Sequence, residues 1–112
     1  MDLPKVERWD FEKTGLMTLD KIRGMVTPTH HFRVSRSEYP AGVEFSEASR
    51  EGVCYVLQGQ VTYRLEECNF EISISAGEFA NLPSGSYWVL IGKNETASLV
   101  RVWELPAEFW AN

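Results

Sequence analysis

The chain has 112 residues, 44% of them hydrophobic, including 4 Trp, 4 Tyr and 6 Phe. This length leaves room for one hydrophobic core, and the aromatic side chains supply enough apolar area to fill it, which argues against disorder and against a second domain. The 11 basic residues are scattered among 16 acidic ones, and the formal net charge of -5 excludes nucleic acid as a natural partner.

No apolar run reaches the about 20 residues needed to cross a bilayer, and the polar N-terminus lacks the pattern of a signal peptide. We therefore expect a soluble, cytoplasmic protein that does not bind membranes. Its two cysteines, Cys54 and Cys68, are too few for a disulfide framework and do not form a C-x-x-C pair, so we expect reduced thiols.

Residues 1–29 show no clean period. Leu16, Leu19 and Ile22 satisfy a helical spacing only in part, and Gly24 interrupts it. We predict extended segments for this N-terminal extension.

From residue 30 onward the chain has short apolar runs separated by turn residues, a pattern typical of β-sandwiches and barrels. The alternation of apolar and polar residues is strictest over 70–74, where one face points to a core and the other to water. Gly59 can supply the positive φ of a tight turn. The tail, residues 107–110, is predicted to form one helical turn or an apolar clasp. The predicted strands cover residues 30–37, 53–57, 61–65, 70–74, 79–82, 87–91 and 98–103.

The turn residues that follow Gly77 resemble the second sequence motif of the cupin superfamily. That motif consists of a glycine, five residues, P-x-G, two residues and a metal-binding histidine. Gly77, Pro83 and Gly85 fit this spacing, and Trp88 stands at the histidine position. The resemblance spans about residues 35–105. It implies an all-β fold of the RmlC-like type, a jelly-roll or double-stranded β-helix barrel, in one domain with its core at about 30–105 and a tail at 106–112.

The first cupin motif implies two further histidines and a glutamate between Gly42 and Gly59, an interval two or three residues shorter here than in the motif. Counting back from Gly59 places the glutamate at Gly52 and the histidines within residues 45–48, where the sequence has none. Imidazoles and a carboxylate provide the metal affinity of such a site. We therefore expect a protein that holds no metal and no other cofactor.

Oxygen ligands for a hard cation are the alternative that the sequence leaves open. The residues that could provide them are Glu44, Glu47 and Glu51, which we expect instead to be solvated charges. Glu47 and Glu51, together with Arg50, are predicted to line the mouth of the barrel.

The cupin resemblance implies that Trp88 projects into the barrel lumen, either as a filler or as an aromatic wall whose indole N–H donates to a ligand. Strand alternation would place Ser86 and Leu90 on the same face, and Cys54 and Val56 on the face of the missing glutamate. These five side chains are the predicted ligand-binding residues. The residues assigned to the outer face or to a subunit contact are Tyr55, Tyr63 and Arg64.

Candidate catalytic residues are His31, Glu47 and Glu51. His30 and His31 are neighbours on a predicted strand, so their side chains should point to opposite faces and at most one can enter the barrel. Cys54 is expected to be a buried and unreactive thiol, because the sequence shows no cationic neighbour for it.

The sequence is compatible with three functions. The first is binding or sensing of a small molecule in the lumen. The second is a metal-independent isomerase, epimerase or lyase acting on a sugar-like or carbonyl compound, with His31 or a mouth glutamate as the base. The third is a degenerate cupin that acts in assembly, with a lumen filled by Trp88 and Tyr87. Open sheet edges also predict a homodimer, with the N-terminal segment and Phe109–Trp110 as candidate covers.

Overall fold

The computed structural model describes residues 4–67 and 69–110, and Cys68 lies outside these described residues. Short 3-10 turns cover Thr29–His31 and Ala107–Phe109. No helix within the described residues is both long and apolar enough to cross a membrane. The remaining elements, in chain order, are β1 (Glu7–Arg8), α1 (Phe11–Thr14), α2 (Leu19–Met25), β2 (Phe32–Tyr39), β3 (Glu44–Ser49), β4 (Gly52–Gln58), β5 (Gln60–Leu65), β6 (Phe70–Ser75), β7 (Glu78–Leu82), β8 (Gly85–Ile91) and β9 (Ala97–Glu104).

The strands form two antiparallel sheets that face each other. The first sheet has the order β1-β7-β4-β9-β2 and the second has the order β3-β8-β5-β6. Pairing is nested: β2 pairs with β9, β3 with β8, β4 with β7 and β5 with β6. This nesting is the pattern of a jelly roll, and the prediction of an all-β jelly-roll fold is confirmed.

A core of apolar side chains fills much of the space between the sheets. The short connection from β4 to β5 holds these strands close, and it requires Gly59, which has a φ of 77° and lies where a Cβ would come within 2.7 Å of the Thr96 carbonyl oxygen. The core contains Cys54, Val56, Val61, Tyr63, Leu65, Ile72, Ile74, Ala80, Leu82, Tyr87, Val89, Ile91, Ala97 and Leu99.

The N-terminal segment is helical in two places, so the prediction of extended segments was wrong there. The Asp10 side chain accepts from Lys13 N at 3.0 Å and begins α1, and Thr18 caps α2 by accepting from Lys21 N at 3.2 Å. Gly24 does not interrupt α2, because it lies on the exposed side of the helix.

The helices cover the outer face of the first sheet, where they form a second apolar cluster. Ile22 of α2 is buried there, and β1 pairs with β7 at the edge of the sheet. The outer face of the first sheet is therefore packed against the N-terminal segment, which leaves the inner face to shape the lumen. The buried members of this cluster are Trp9, Ile22, Tyr55, Val100 and Val102.

The two histidines lie in the 3-10 turn before β2, not on a strand. Their rings are 4.4 Å apart, so the prediction that they point to opposite faces was wrong, because residues in such a turn do not alternate as they do in a strand. His31 stacks on Trp110 with ring centroids 4.1 Å apart, and Trp110 Nε1 donates to the Leu105 carbonyl oxygen at 2.7 Å. Of the two alternatives predicted for the tail, the turn is present at Ala107–Phe109, and Trp110 also packs on His31, whereas Phe109 is exposed.

Candidate functional site

Strand β8 faces the lumen with different residues from those that the cupin motif implied. Tyr87 and Val89 are buried in the core, whereas Ser86 is exposed and Trp88 and Leu90 are half-buried on the outer face of the second sheet. The predicted lumen position of Trp88, Ser86 and Leu90 was therefore wrong. Motif spacing alone did not fix which face each residue takes.

Both aromatic residues satisfy their polar atoms on the face where they lie. The Tyr87 hydroxyl donates to the Pro83 carbonyl oxygen inside the barrel. The Trp88 indole donates to Glu44 Oε1 at 3.2 Å on the outside of β3. Trp88 consequently cannot act as the filler or the stacking wall of the lumen in this arrangement.

Strands β4 and β5 bring Cys54 and Tyr63 together inside the barrel. Cys54 and Val56 are fully buried and face inward as predicted, and Cys54 Sγ lies 3.6 Å from Tyr63 Oη. The assignment of Tyr63 to the outer face was wrong, because its neighbour Arg64 is exposed and adjacent strand residues point to opposite faces. Tyr55 does lie on the outer face of the first sheet, as predicted, stacked on Phe79.

Strand β3 carries polar side chains into the lumen. Its inward positions are Phe45, Glu47 and Ser49, and its outward positions include Glu44 and Ser46. Glu47 is 34% exposed, and its Oε2 lies 3.7 Å from Arg101 Nη1. The predicted position of Glu47 at the mouth of the barrel therefore agrees with the structure.

Arg101, near the middle of β9, is a buried cation whose side chain faces the lumen. Only 8% of the residue is exposed. Its Nη2 donates to Ser49 Oγ at 2.6 Å and its Nη1 to Tyr63 Oη at 3.5 Å, while Nε is buried and has no hydrogen-bond partner among the described residues. Burial disfavours the charged form of Arg101, but the net direction of its pKa shift is upward and an arginine guanidinium does not lose its proton in proteins, so Arg101 remains cationic.

The hydroxyl and thiol beside Arg101 are neutral. Burial raises the pKa of Cys54 to about 11, against the opposing effect of Arg101. Burial also raises the pKa of Tyr63 well above its usual value. The site therefore offers one fixed positive charge, one partly exposed carboxylate and several neutral polar groups.

An open cavity of about 290 Å³ lies between β2, β3 and β9, with Arg101 and Glu47 in its wall. We call it the lumen cavity. Its polar and apolar groups converge on one space, which is the usual composition of a small-molecule site. Its other walls include Ser35, Ser37, Tyr39, Ser49, Leu99 and Trp103.

The other two predicted catalytic residues lie away from the lumen cavity. His31 packs on the C-terminal tail. Glu51 is exposed and borders a larger groove of about 590 Å³ beside α2, on the far side of the first sheet. Arg50 borders both spaces. The structure thus separates Glu47 from His31 and Glu51, which sequence reasoning had grouped together.

The metal implied by the cupin resemblance does not fit the residues present. At the expected glutamate position, a Cβ on Gly52 would lie 2.4 Å from the Val102 carbonyl oxygen, which leaves no room for a ligand side chain. The carboxylate that does face the lumen, Glu47, lies beside the Arg101 cation. Within the described residues no three His, Cys, Asp or Glu side chains come together in a metal-binding group.

The three glutamates considered for a hard cation do not converge. Glu44 lies outside the second sheet, Glu47 lies in the lumen and Glu51 lies beside the α2 groove. The oxygen-ligand alternative was therefore wrong for this set of residues.

Arg101 and Ser49 were not identified from the sequence, although Arg101 left a signal. It is the one charged residue within residues 97–103, the apolar run that precedes Glu104. Alternation places it on the same face as Leu99 and Trp103. A charge at an inward position of a buried strand is a mark of function, because it must be paired or used.

Comparison with known proteins identifies the fold. No protein-family model matches the sequence, and no curated protein is significantly similar to it. A DUF861 family protein from Thermotoga maritima superposes with a TM-score of 0.57 at 17% identity, over 92% of this chain and 100% of that one. The EutQ protein of Clostridium difficile superposes with a TM-score of 0.55 at 19% identity, over 94% of this chain and 69% of that one. A cupin-2 domain containing protein from Shewanella frigidimarina superposes with a TM-score of 0.53 at 14% identity, over 86% of this chain and 100% of that one.

These similarities establish a cupin fold for this chain, as the sequence motif predicted. Sequence identities this low establish the fold but not the activity, because one barrel type supports many functions.

Proposed function

We propose that this protein binds a small molecule in the lumen cavity and that it does so without a metal ion. The observation that carries the proposal is the convergence of Arg101, Glu47 and three serine hydroxyls on one open space between the sheets. Binding sites in barrels combine an apolar wall with a few fixed polar groups, and Leu99 provides such a wall here. A lumen filled for assembly alone would leave no such space.

Catalysis at the same site is a second candidate function, favoured by one observation. Glu47 is a partly exposed carboxylate 3.7 Å from a guanidinium, so it could take a proton from a molecule that Arg101 holds. Of the bases considered from the sequence, Glu47 is the one that borders the lumen cavity. An isomerase, epimerase or lyase reaction would therefore depend on Glu47, and Glu47→Gln would abolish turnover while leaving binding in place.

A pair of matched variants tests lumen binding. Ser37→Phe places a large side chain in the lumen cavity, whereas Ser46→Phe makes the same change on the exposed face of β3. Wild type and both variants are screened by thermal shift against a collection of metabolites. A ligand at a hundredfold excess over its Kd stabilises the folded state by about 2.7 kcal/mol, which corresponds to about 10–20 °C in a domain of this size.

The proposal predicts compounds that raise the melting temperature of wild type and of Ser46→Phe but not of Ser37→Phe. Far-ultraviolet circular dichroism confirms that both variants remain folded. Stabilisation of Ser37→Phe by the same compounds to the same extent contradicts the proposal, as does a collection in which nothing stabilises the wild type.

A further inference from the structure

We infer that the molecule bound in the lumen is an anion, a small hydroxy- or keto-carboxylate whose carboxylate group is held by Arg101. This inference rests on the proposed function, because it specifies the ligand of the same cavity. The juxtaposition behind it is a buried guanidinium with unused donors beside neutral hydroxyl groups and a single, partly exposed carboxylate.

The guanidinium of Arg101 has N–H donors that the described residues leave unpaired. It carries five N–H groups, and the described residues accept two of them, at Ser49 Oγ and Tyr63 Oη. The bond to Tyr63 is long, at 3.5 Å, and Nε has no acceptor within the described part of the chain. A buried donor without a partner is costly, so this site is completed when an acceptor enters it.

The charge of Arg101 is also incompletely paired. Glu47 lies 3.7 Å away, beyond the 2.7–2.9 Å of a charge-assisted hydrogen bond, and its exposed third is screened by water. Ser49 and Tyr63 contribute no negative charge. A ligand carboxylate satisfies two N–H groups of an arginine at once and neutralises the charge. The Ser49 hydroxyl, displaced as an acceptor, can then donate to the same carboxylate.

The remaining walls of the cavity define the rest of the ligand. Ser35 and Ser37 present hydroxyls that suit a hydroxyl or carbonyl oxygen, and Leu99 and Trp103 present apolar surface to a short carbon chain. A volume of about 290 Å³ lies at the small end of ligand sites. Together these features favour a short, singly charged acid over a large or polyanionic molecule.

The test compares acids with their neutral amides in solutions of equal ionic strength. Sodium lactate, glycolate and pyruvate are titrated against lactamide, glycolamide and pyruvamide, and the ¹⁵N-labelled Nε–H signal of Arg101 is followed by nuclear magnetic resonance. The inference predicts that at least one acid shifts this signal saturably while its amide does not. Arg101→Gln should weaken binding of that acid by about 10- to 100-fold, and Arg64→Gln, on the outer face, should leave it unchanged.

Arg101→Met provides a readout that a purely structural arginine would not give. Because a buried charge with incomplete pairing is costly, replacing it with an apolar side chain of similar length should leave the free energy of unfolding of the ligand-free protein unchanged or higher, while acid binding is lost. Strong destabilisation of Arg101→Met would show instead that Arg101 is part of the scaffold.

Failure of this inference is distinguishable from failure of the proposed function. Amides that bind as tightly as their acids, or acids that bind Arg101→Gln as tightly as wild type, overturn the anion inference and leave lumen binding intact. Acids that leave the Arg101 signal unshifted overturn it as well. Ligands that are insensitive to Ser37→Phe overturn lumen binding itself.

Discussion

At the scale of single residues, the Arg101 cation in the wall of the lumen cavity lies against two buried neutral groups. Tyr63 Oη lies 3.6 Å from Cys54 Sγ and accepts a hydrogen bond from Arg101 Nη1. The nearby cation favours a thiolate at Cys54, yet burial has the larger effect and the thiol remains protonated. A protonated thiol is a poor nucleophile and a poor metal ligand. Cys54 and Tyr63 are buried behind Arg101 and do not line the lumen cavity, so they are suited to supporting Arg101 rather than to reacting with a ligand.

The raised pKa of Cys54 predicts a specific loss of stability in alkali. The thiol has a pKa of 9.0 when unperturbed and about 11 in the folded protein, so between these values the unfolded chain releases a proton that the folded chain keeps. Stability is therefore unaffected by Cys54 below about pH 9 and falls as the pH rises toward 11, by at most about 2–3 kcal/mol. Denaturant titrations at about pH 8 and about pH 10.5 measure the loss.

Cys54→Ala is the control, with Cys68→Ser present in both proteins so that a single thiol is compared. The protein that retains Cys54 should lose more stability between the two pH values than Cys54→Ala does. Equal losses in the two proteins, or rapid labelling of Cys54 by a thiol reagent in the folded state at about pH 8, would contradict the assignment of a buried neutral thiol.

At the scale of elements, the approach of β4 to β9 depends on Gly52. A Cβ at this position would lie 2.4 Å from the Val102 carbonyl oxygen and 3.0 Å from Trp103 Cβ, and the first of these contacts is to backbone that cannot easily move. We predict that Gly52→Ala lowers the free energy of unfolding by about 1–3 kcal/mol or more through overpacking. Urea denaturation measures the change.

Gly24 of α2 is the matched control for this substitution. A Cβ there meets no atom within 4 Å, so Gly24→Ala should leave stability unchanged or raise it by about 0.5–1 kcal/mol through helix propensity. If Gly52→Ala were as stable as wild type, the close contact between β4 and β9 would not exist as described.

Regular alternation made most strands predictable, and its absence explains the elements that were missed. Over Phe70–Ser75 the apolar residues point to the core, so the sequence predicts the strand directly. Strand β3 was not predicted, because its inward residues Glu47 and Ser49 are polar. They line a polar part of the lumen, so the strand lacks the alternation of apolar and polar residues on which the prediction depends. Helices α1 and α2 are too short to show a clear helical period of apolar residues. The sequence features that indicated where they begin were the N-capping residues Asp10 and Thr18.

The site was less predictable than the fold for a related reason. The cupin motif fixed the turn from Pro83 to Gly85 but not which of Tyr87 and Trp88 enters the barrel. A shift of one residue exchanges the two faces of a strand, so a motif match does not by itself assign a side chain to the lumen. The position of the Arg101 charge opposite β3 could not be predicted from the sequence, because it depends on how β9 pairs with its neighbouring strands.

At the scale of the whole molecule, the two sheets differ in what covers them. The first sheet is packed on both faces, whereas the outer face of the second carries half-buried Trp88 and Leu90 among polar side chains. Strands β3 and β6 form the edges of that second sheet. Exposed edges favour association with another chain, so the homodimer expected from the sequence remains a prediction.

Light scattering coupled to size exclusion, at micromolar concentration, tests the homodimer. The expected mass is twice that of the 12.8 kDa chain. A mass of one chain at that concentration would contradict the prediction and would leave the lumen cavity, which is built from a single chain, unaffected.

The position of a bound ligand tests lumen binding most directly, because the described residues also line other spaces, among them the groove of about 590 Å³ beside α2. Crystals grown with a compound from the thermal-shift screen would show which space it occupies. The account predicts density between β2 and β3, with an acceptor within hydrogen-bond distance of the Arg101 guanidinium. Density in the groove beside α2, or on the outer face around Trp88, would contradict it.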